Sequence, residues 1–134
     1  MVSREIMSNI ITGHGETILL ADYDDMVLEA LRDILERLNY VVLTASDGQE
    51  AVELYRVHQD AIDLLILDHA LPRLGGKATL QEIHKINPEI RAIYISAFTP
   101  KPTGIEIISD PEIVLRKPFT IVELSQVVSH VLAD

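Results

Sequence analysis

At 134 residues, with no cysteine, 21 acidic against 11 basic side chains and a formal net charge of −10, the chain is one domain in size and strongly acidic. That balance argues against nucleic acid as a direct partner, which needs a basic patch, and the missing cysteines exclude disulfides and thiolate metal sites. An apolar fraction of 48% excludes general disorder, no apolar run reaches transmembrane length, and no basic-then-apolar leader opens the chain, so cytoplasm is the expected compartment.

Residues 1–16 read as a tail or linker: Gly13 and Gly15 interrupt any helix that Ile6, Ile10 and Ile11 would begin, and an upstream domain would attach here. From Thr17 the pattern alternates between strand and helix. Ile18–Ala21 is a short apolar strand ending at Asp22. Asp25 is the expected N-cap of a helix to Leu38, with Val27, Leu31, Ile34, Leu35 and Leu38 on one face. Asn39 suits a left-handed C-cap. Tyr40–Thr44 is β-branched and aromatic, hence a second strand. Asp47-Gly48 then turns into a helix carrying Ala51, Val52, Leu54 and Tyr55.

Asp63–Asp68 is apolar on both faces from Leu64 to Leu67, as in the interior of a parallel sheet covered by helices. Pro72, Gly75 and Gly76 shape the loop after it. A helix over roughly Lys77–Ile86 stops at Asn87-Pro88. Ile90–Ala97 is a fourth strand, Ile113–Arg116 a fifth, and a last helix starts at Thr120 with Leu124, Val127, Val128, Val131 and Leu132 at helical spacing. Thr99–Pro111 holds three prolines and Gly104, so the helix that the alternation calls for is expected to be weak or shortened, one or two turns within Ile105–Asp110. Five strands alternating with helices predict an α/β, flavodoxin-like, doubly wound five-stranded parallel sheet in the order 2-1-3-4-5.

In that order strands one and three are neighbours at the switch point, so the carboxylates of Asp22 and Asp68 converge at their C-terminal ends. Ser96 and Lys117 approach the same cleft from strands four and five. Converging carboxylates repel and need a cation, either a hard divalent ion or the Lys117 ammonium. An acidic pocket with a hydroxyl donor and a fixed positive charge suits a phosphoryl group, with a carboxylate as the nucleophile.

These residues lie in motifs that resemble the receiver domains of two-component response regulators and hybrid histidine kinases: ILLADYDD (18–25), LLILDHALPRLGG (64–76), IYISA (93–97) and LRKPF (115–119). The likeness runs from Thr17 to the C-terminus, giving a receiver domain over residues 17–134. It implies that Asp68 is the phosphoacceptor, fed by a histidine kinase phosphohistidine or a phosphotransfer domain. It implies Mg²⁺ held by Asp22, Asp68 and the backbone carbonyl of Ala70, with Asp24 as a further candidate, and phosphoryl binding by Ser96 and Lys117. It further implies a cis peptide at Lys117-Pro118 and a module that is not an enzyme in the ordinary sense, assisting only its own phosphorylation and slow hydrolysis.

The chain also departs from the family pattern. Tyr23 stands where a second metal-binding acid is usual, which predicts weak Mg²⁺ binding and slow or absent phosphorylation. Val114 replaces the aromatic that usually follows the hydroxyl residue's movement, which predicts an altered output face. Ala70 and Phe98, at positions that flank the attacking water, are apolar, which predicts a long-lived acyl phosphate. His69 reads as a surface residue, and the other histidines share no metal-ligand spacing.

The expected function is therefore phosphorelay signalling through Asp68. The alternative is a degenerate receiver, a protein-interaction module independent of phosphate. A nucleotide-binding enzyme would need a glycine-rich loop after strand one, where DYDDM is acidic and glycine-free. No output domain fits between the last helix and Asp134, so output is expected through protein contact or a further domain.

Overall fold

The computed structural model describes residues 9–96, 104–109 and 112–133, of which 104–109 and 112 are described by backbone alone. The strands are β1 (Thr17–Ala21), β2 (Val41–Ala45), β3 (Ile62–Asp68), β4 (Ala92–Ser96), β5 (Gly104–Ser109) and β6 (Glu112–Arg116). The helices are α1 (Asp25–Arg37), α2 (Gly48–His58), α3 (Gly76–Ile86) and α4 (Ile121–Ala133). They build one sheet in the order β2-β1-β3-β4-β6-β5. The five strands other than β5 are parallel and follow the expected order, the fifth of them being β6.

β3 runs through the middle of the sheet and is buried on both faces. Leu64 and Ile66 face the core under α1 and α4, while Leu65 and Leu67 face the core under α2 and α3. Period-two alternation turns one uninterrupted apolar run into the centre of two cores. Helices on both faces leave the C-terminal strand edge open, and β1 and β3 carry Asp22 and Asp68 there side by side.

The helix ends follow from local polar groups. Asp24, rather than the expected Asp25, caps α1: its extended backbone (φ −91°, ψ 112°) lets its carboxylate accept from the amides of Met26 (2.9 Å) and Val27 (3.3 Å). Asn39 closes the other end at φ 73°, the left-handed conformation asparagine tolerates. α4 opens with a reciprocal box, the Glu123 amide donating to Thr120 Oγ1 (3.0 Å) and the Thr120 amide to Glu123 Oε1 (2.9 Å).

The structure corrects one expectation. The segment read as a weak fourth helix is the strand β5 over its described part, paired antiparallel along the outer edge of β6, from Gly104 opposite Arg116 to Ser109 opposite Glu112. Ile105-Glu106-Ile107 has period two and is rich in β-branched residues, which disfavours a short helix and suits an edge strand that satisfies the outer edge of β6.

The predicted tail is fastened to the domain over its described part. The Gly13 amide donates to Leu38 (2.7 Å) and the Gly15 amide to Asn39 (2.9 Å), while Asn39 Nδ2 donates back to the Gly13 carbonyl (2.7 Å). Ile11 donates to Ser125 Oγ on α4, and Ile10 packs on the core beneath α1 and α4. Glycine is required at position 13 because a Cβ there would lie 2.2 Å from the ring of buried Tyr40. That contact was not visible as a signal in the sequence, where Gly13 read as a helix breaker.

Candidate functional site

Asp22 follows β1 and is fully buried, its amide donating to the Ala45 carbonyl of β2 (3.1 Å). Its Oδ1 accepts from the Asp24 amide (2.9 Å). Asp68, the last residue of β3, is 4% exposed, and its Oδ1 accepts from the Ala70 amide (3.1 Å). The two remaining oxygens, Oδ2 of Asp22 and Oδ2 of Asp68, are buried and accept no hydrogen bond from the described residues. Lys117 Nζ lies 3.7 Å from Asp22 Oδ2. Two buried carboxylates thus share one pocket with one ammonium.

Burial, chiefly, pushes the Asp22 carboxyl above the ordinary carboxylate range. The neighbouring Asp68 charge adds to the rise, while the Asp24 amide and Lys117 oppose it. Buried acceptors left unmatched are costly, and the unmatched Oδ2 of Asp22 beside the Asp68 carboxylate fits a hard divalent cation. Asp22, Asp68 and the Ala70 carbonyl are the residues that would hold such an ion. Among the described residues no group of three or more acidic, histidine or cysteine side chains forms a metal cluster, so the carboxylate contribution rests on a pair.

Asp24 is spent on capping α1, and its Oδ1 points at the helix amides. Tyr23 is 57% exposed and brings no carboxylate to the pocket. Ser96 ends β4, its carbonyl accepting from the Lys117 amide (3.1 Å), which brings the hydroxyl-bearing strand end and the lysine together. Lys117-Pro118 is cis, as the resemblance implies. Val114 is buried on β6. Ala97 and Phe98 lie outside the described residues.

The loop from Asp68 to α3 is held by close approaches that the sequence did not single out. A Cβ on Gly76 would sit 2.5 Å from the Asp68 carbonyl oxygen, and one on Gly48 would sit 2.3 Å from Thr79 Oγ1 and 2.4 Å from the Leu74 carbonyl oxygen. Buried Thr79 donates to the Gly75 carbonyl (2.9 Å), and Arg73 takes φ 66°. Tyr94 was also missed. It lies on β4 two residues before Ser96, and period two alone would have put both on one face. Its ring is buried and meets His69 edge to face.

Comparisons with known proteins agree with this arrangement. The family model described as the response regulator receiver domain matches residues 18–129. The chain is 35% identical over 119 residues to a probable transcriptional regulator, ycf27, of Guillardia theta, covering 87% of this chain and 45% of that protein. It is 26% identical over 123 residues to the sensor kinase CckA of Brucella abortus (strain 2308), covering 91% of this chain and 13% of the kinase. It thus spans less than half the length of these relatives. Among solved structures, it is similar to the CheX–CheY–BeF₃–Mg²⁺ complex from Borrelia burgdorferi, with a TM-score of 0.77, 26% identity and coverage of 89% of this chain and 90% of that one. The receiver domain of the hybrid histidine kinase CckA gives a TM-score of 0.73 at 26% identity, covering 87% and 98%.

Proposed function

Since the chain belongs to the response regulator receiver domain family, we propose that Asp68 accepts a phosphoryl group from the phosphohistidine of a histidine kinase or phosphotransfer partner. The observation that carries this reading is the buried pair of carboxylates, each with an oxygen that accepts no hydrogen bond from the described residues, beside the Lys117 ammonium.

The Ala70 amide fixes Oδ1 of Asp68, which leaves Oδ2 as the nucleophile. Oδ2 forms the new bond to phosphorus while the phosphorus–nitrogen bond of the donor breaks. The electron pair stays on the imidazole nitrogen, which takes up a proton. Lys117 turns from Asp22 to the new phosphoryl oxygens, and the Ser96 hydroxyl donates to one of them. Asp22, Asp68 and the Ala70 carbonyl would hold a Mg²⁺ ion, which would supply charge compensation on the transferring oxygens. The protein turns over no other substrate: it assists its own phosphorylation and slow hydrolysis, and signals from the cytoplasm through a fused or separate output partner.

Beryllofluoride with Mg²⁺ stands in for the phosphoryl group. Its addition is expected to displace the Ala70 and Lys117 amide resonances of the wild-type chain, and Asp68→Asn is expected to lose the response. A wild-type chain that stays silent to beryllofluoride and to acetyl phosphate would favour the second reading, a degenerate receiver that works as a phosphate-independent interaction module. The exposure of Tyr23 and the capping role of Asp24 support that alternative.

Mg²⁺ binding is proposed to be weak for the same reason. Replacing Tyr23 with aspartate is expected to tighten it by about tenfold, because one more carboxylate joins a site that has two. Calorimetric titration with Mg²⁺ checks this, and equal affinities would show that position 23 does not limit the metal.

A further inference from the structure

The rings of His69 and Tyr94 meet edge to face, centroids 5.6 Å apart and planes at 80°. His69 directly follows the acceptor, and its backbone is pinned on both sides. Its amide donates to the Ile95 carbonyl (2.9 Å) and its carbonyl accepts from the Gly76 amide (3.1 Å). The backbone cannot shift without breaking these bonds, but the exposed imidazole can change rotamer. Tyr94, by contrast, is 2% exposed and in register with Leu67 on β3 and Val114 on β6. All three residues belong to the core beneath α2 and α3. The Tyr94 ring therefore touches the residue next to the acceptor and lies in the core that reaches β6, the strand on which β5 is paired.

Resting on the acceptor reading above, we propose that His69 is a switch ring. It lies edge-on to Tyr94 when Asp68 is bare, and turns to donate a hydrogen bond to the phosphoryl group when Asp68 carries one. Phosphorylation places a charge of about −2 and strong acceptor oxygens on the residue next to His69. A charge-assisted hydrogen bond outweighs an edge contact between rings, so the imidazole leaves Tyr94. The uncovered ring then repacks against Val114 and shifts the β6–β5 edge. The signal reaches that edge without an aromatic residue at position 114. The two states differ in which partner the imidazole holds, and the phosphoryl group acts on the balance between them.

Three full-length chains test this by NMR with beryllofluoride and Mg²⁺, taking the Ala70 amide as the measure of occupancy and the amides of 113–116 with the Tyr94 ring as the readout. In the wild type both sets are expected to move. In His69→Ala the Tyr94 ring is uncovered from the start, so the 113–116 amides already sit near their bound positions and move by less than about half as far. His69→Phe keeps a ring over Tyr94 but cannot donate, so Ala70 responds while 113–116 stay in place. Equal displacement of 113–116 in all three chains at matched Ala70 response overturns the switch and leaves the acceptor intact. No Ala70 response in the wild type removes the acceptor reading, and the switch falls with it.

Discussion

Asp22→Asn is expected to raise the thermal midpoint of the chain and to abolish Mg²⁺ binding. The substitution keeps an oxygen for the Asp24 amide, which Asp22 Oδ1 now accepts, so the turn into α1 survives. It removes a charge that is fully buried and repelled by Asp68. What is lost is the Lys117 ion pair at 3.7 Å, a long contact to a partly exposed lysine. Relief of burial and repulsion outweighs it, and the net gain is about 1 kcal/mol, in the range of single substitutions that trade function for stability. The same carboxylate is one of two that would hold the ion, so calorimetry should show no Mg²⁺ heat.

The pH dependence follows from the direction of the Asp22 shift. Its folded-state value lies above the ordinary one, so between the two the native chain binds more protons than the unfolded chain. That contribution to stability is therefore largest at low pH and is lost as pH rises through the raised value. Asp22→Asn is expected to flatten this part of the curve. A variant less stable than the wild type at neutral pH, measured by denaturant melts, would mean that the Lys117 pair carries more than the burial penalty.

Gly48→Val is expected to destabilise the domain by about 3 kcal/mol or more and to disable the acceptor loop at the same time. A Cβ at position 48 meets Thr79 Oγ1 at 2.3 Å and the Leu74 carbonyl oxygen at 2.4 Å. One of these is backbone, and the other is a buried hydroxyl that already donates to the Gly75 carbonyl, so neither yields cheaply. The collision pushes residues 70–75 away from α2 and takes the Ala70 amide, which holds Asp68 Oδ1, with them. A melt combined with a beryllofluoride titration measures both losses. Gly75→Val is the control, since a Cβ there meets nothing within 4 Å among the described residues. Equal effects from both substitutions would show that backbone freedom, rather than the close approach, sets the requirement.

Much of this was legible in the chain. The apolar run Leu64–Leu67 ending in Asp68 needs no tertiary information to be read as a central strand, because burial on both faces requires an uninterrupted apolar run. Asp22, Asp68 and Lys117 were legible as one cluster because parallel strands in this order bring their C-terminal ends to one edge. The cap was misassigned by one residue because Asp22, Asp24 and Asp25 all carry capping chemistry, and backbone angles decide among them. The 104–109 segment misled because its flanking prolines speak against a helix without naming the alternative; pairing with β6 names it.

By itself the sequence determined the alternation of strands and helices, the strand order of the parallel sheet, and the acids and lysine at one edge. The alternation is set by local periodicity, while the strand order, and with it the shared edge of the acids and the lysine, follows from the flavodoxin-like topology that the motifs indicate. Only the tertiary structure decided that Asp24 belongs to α1, that Tyr23 faces solvent, that Gly13 and Gly48 admit no side chain, and that His69 meets Tyr94. Those facts depend on which atoms from distant parts of the chain arrive within a few ångströms of one another. Such contacts are products of packing, and no local pattern records them.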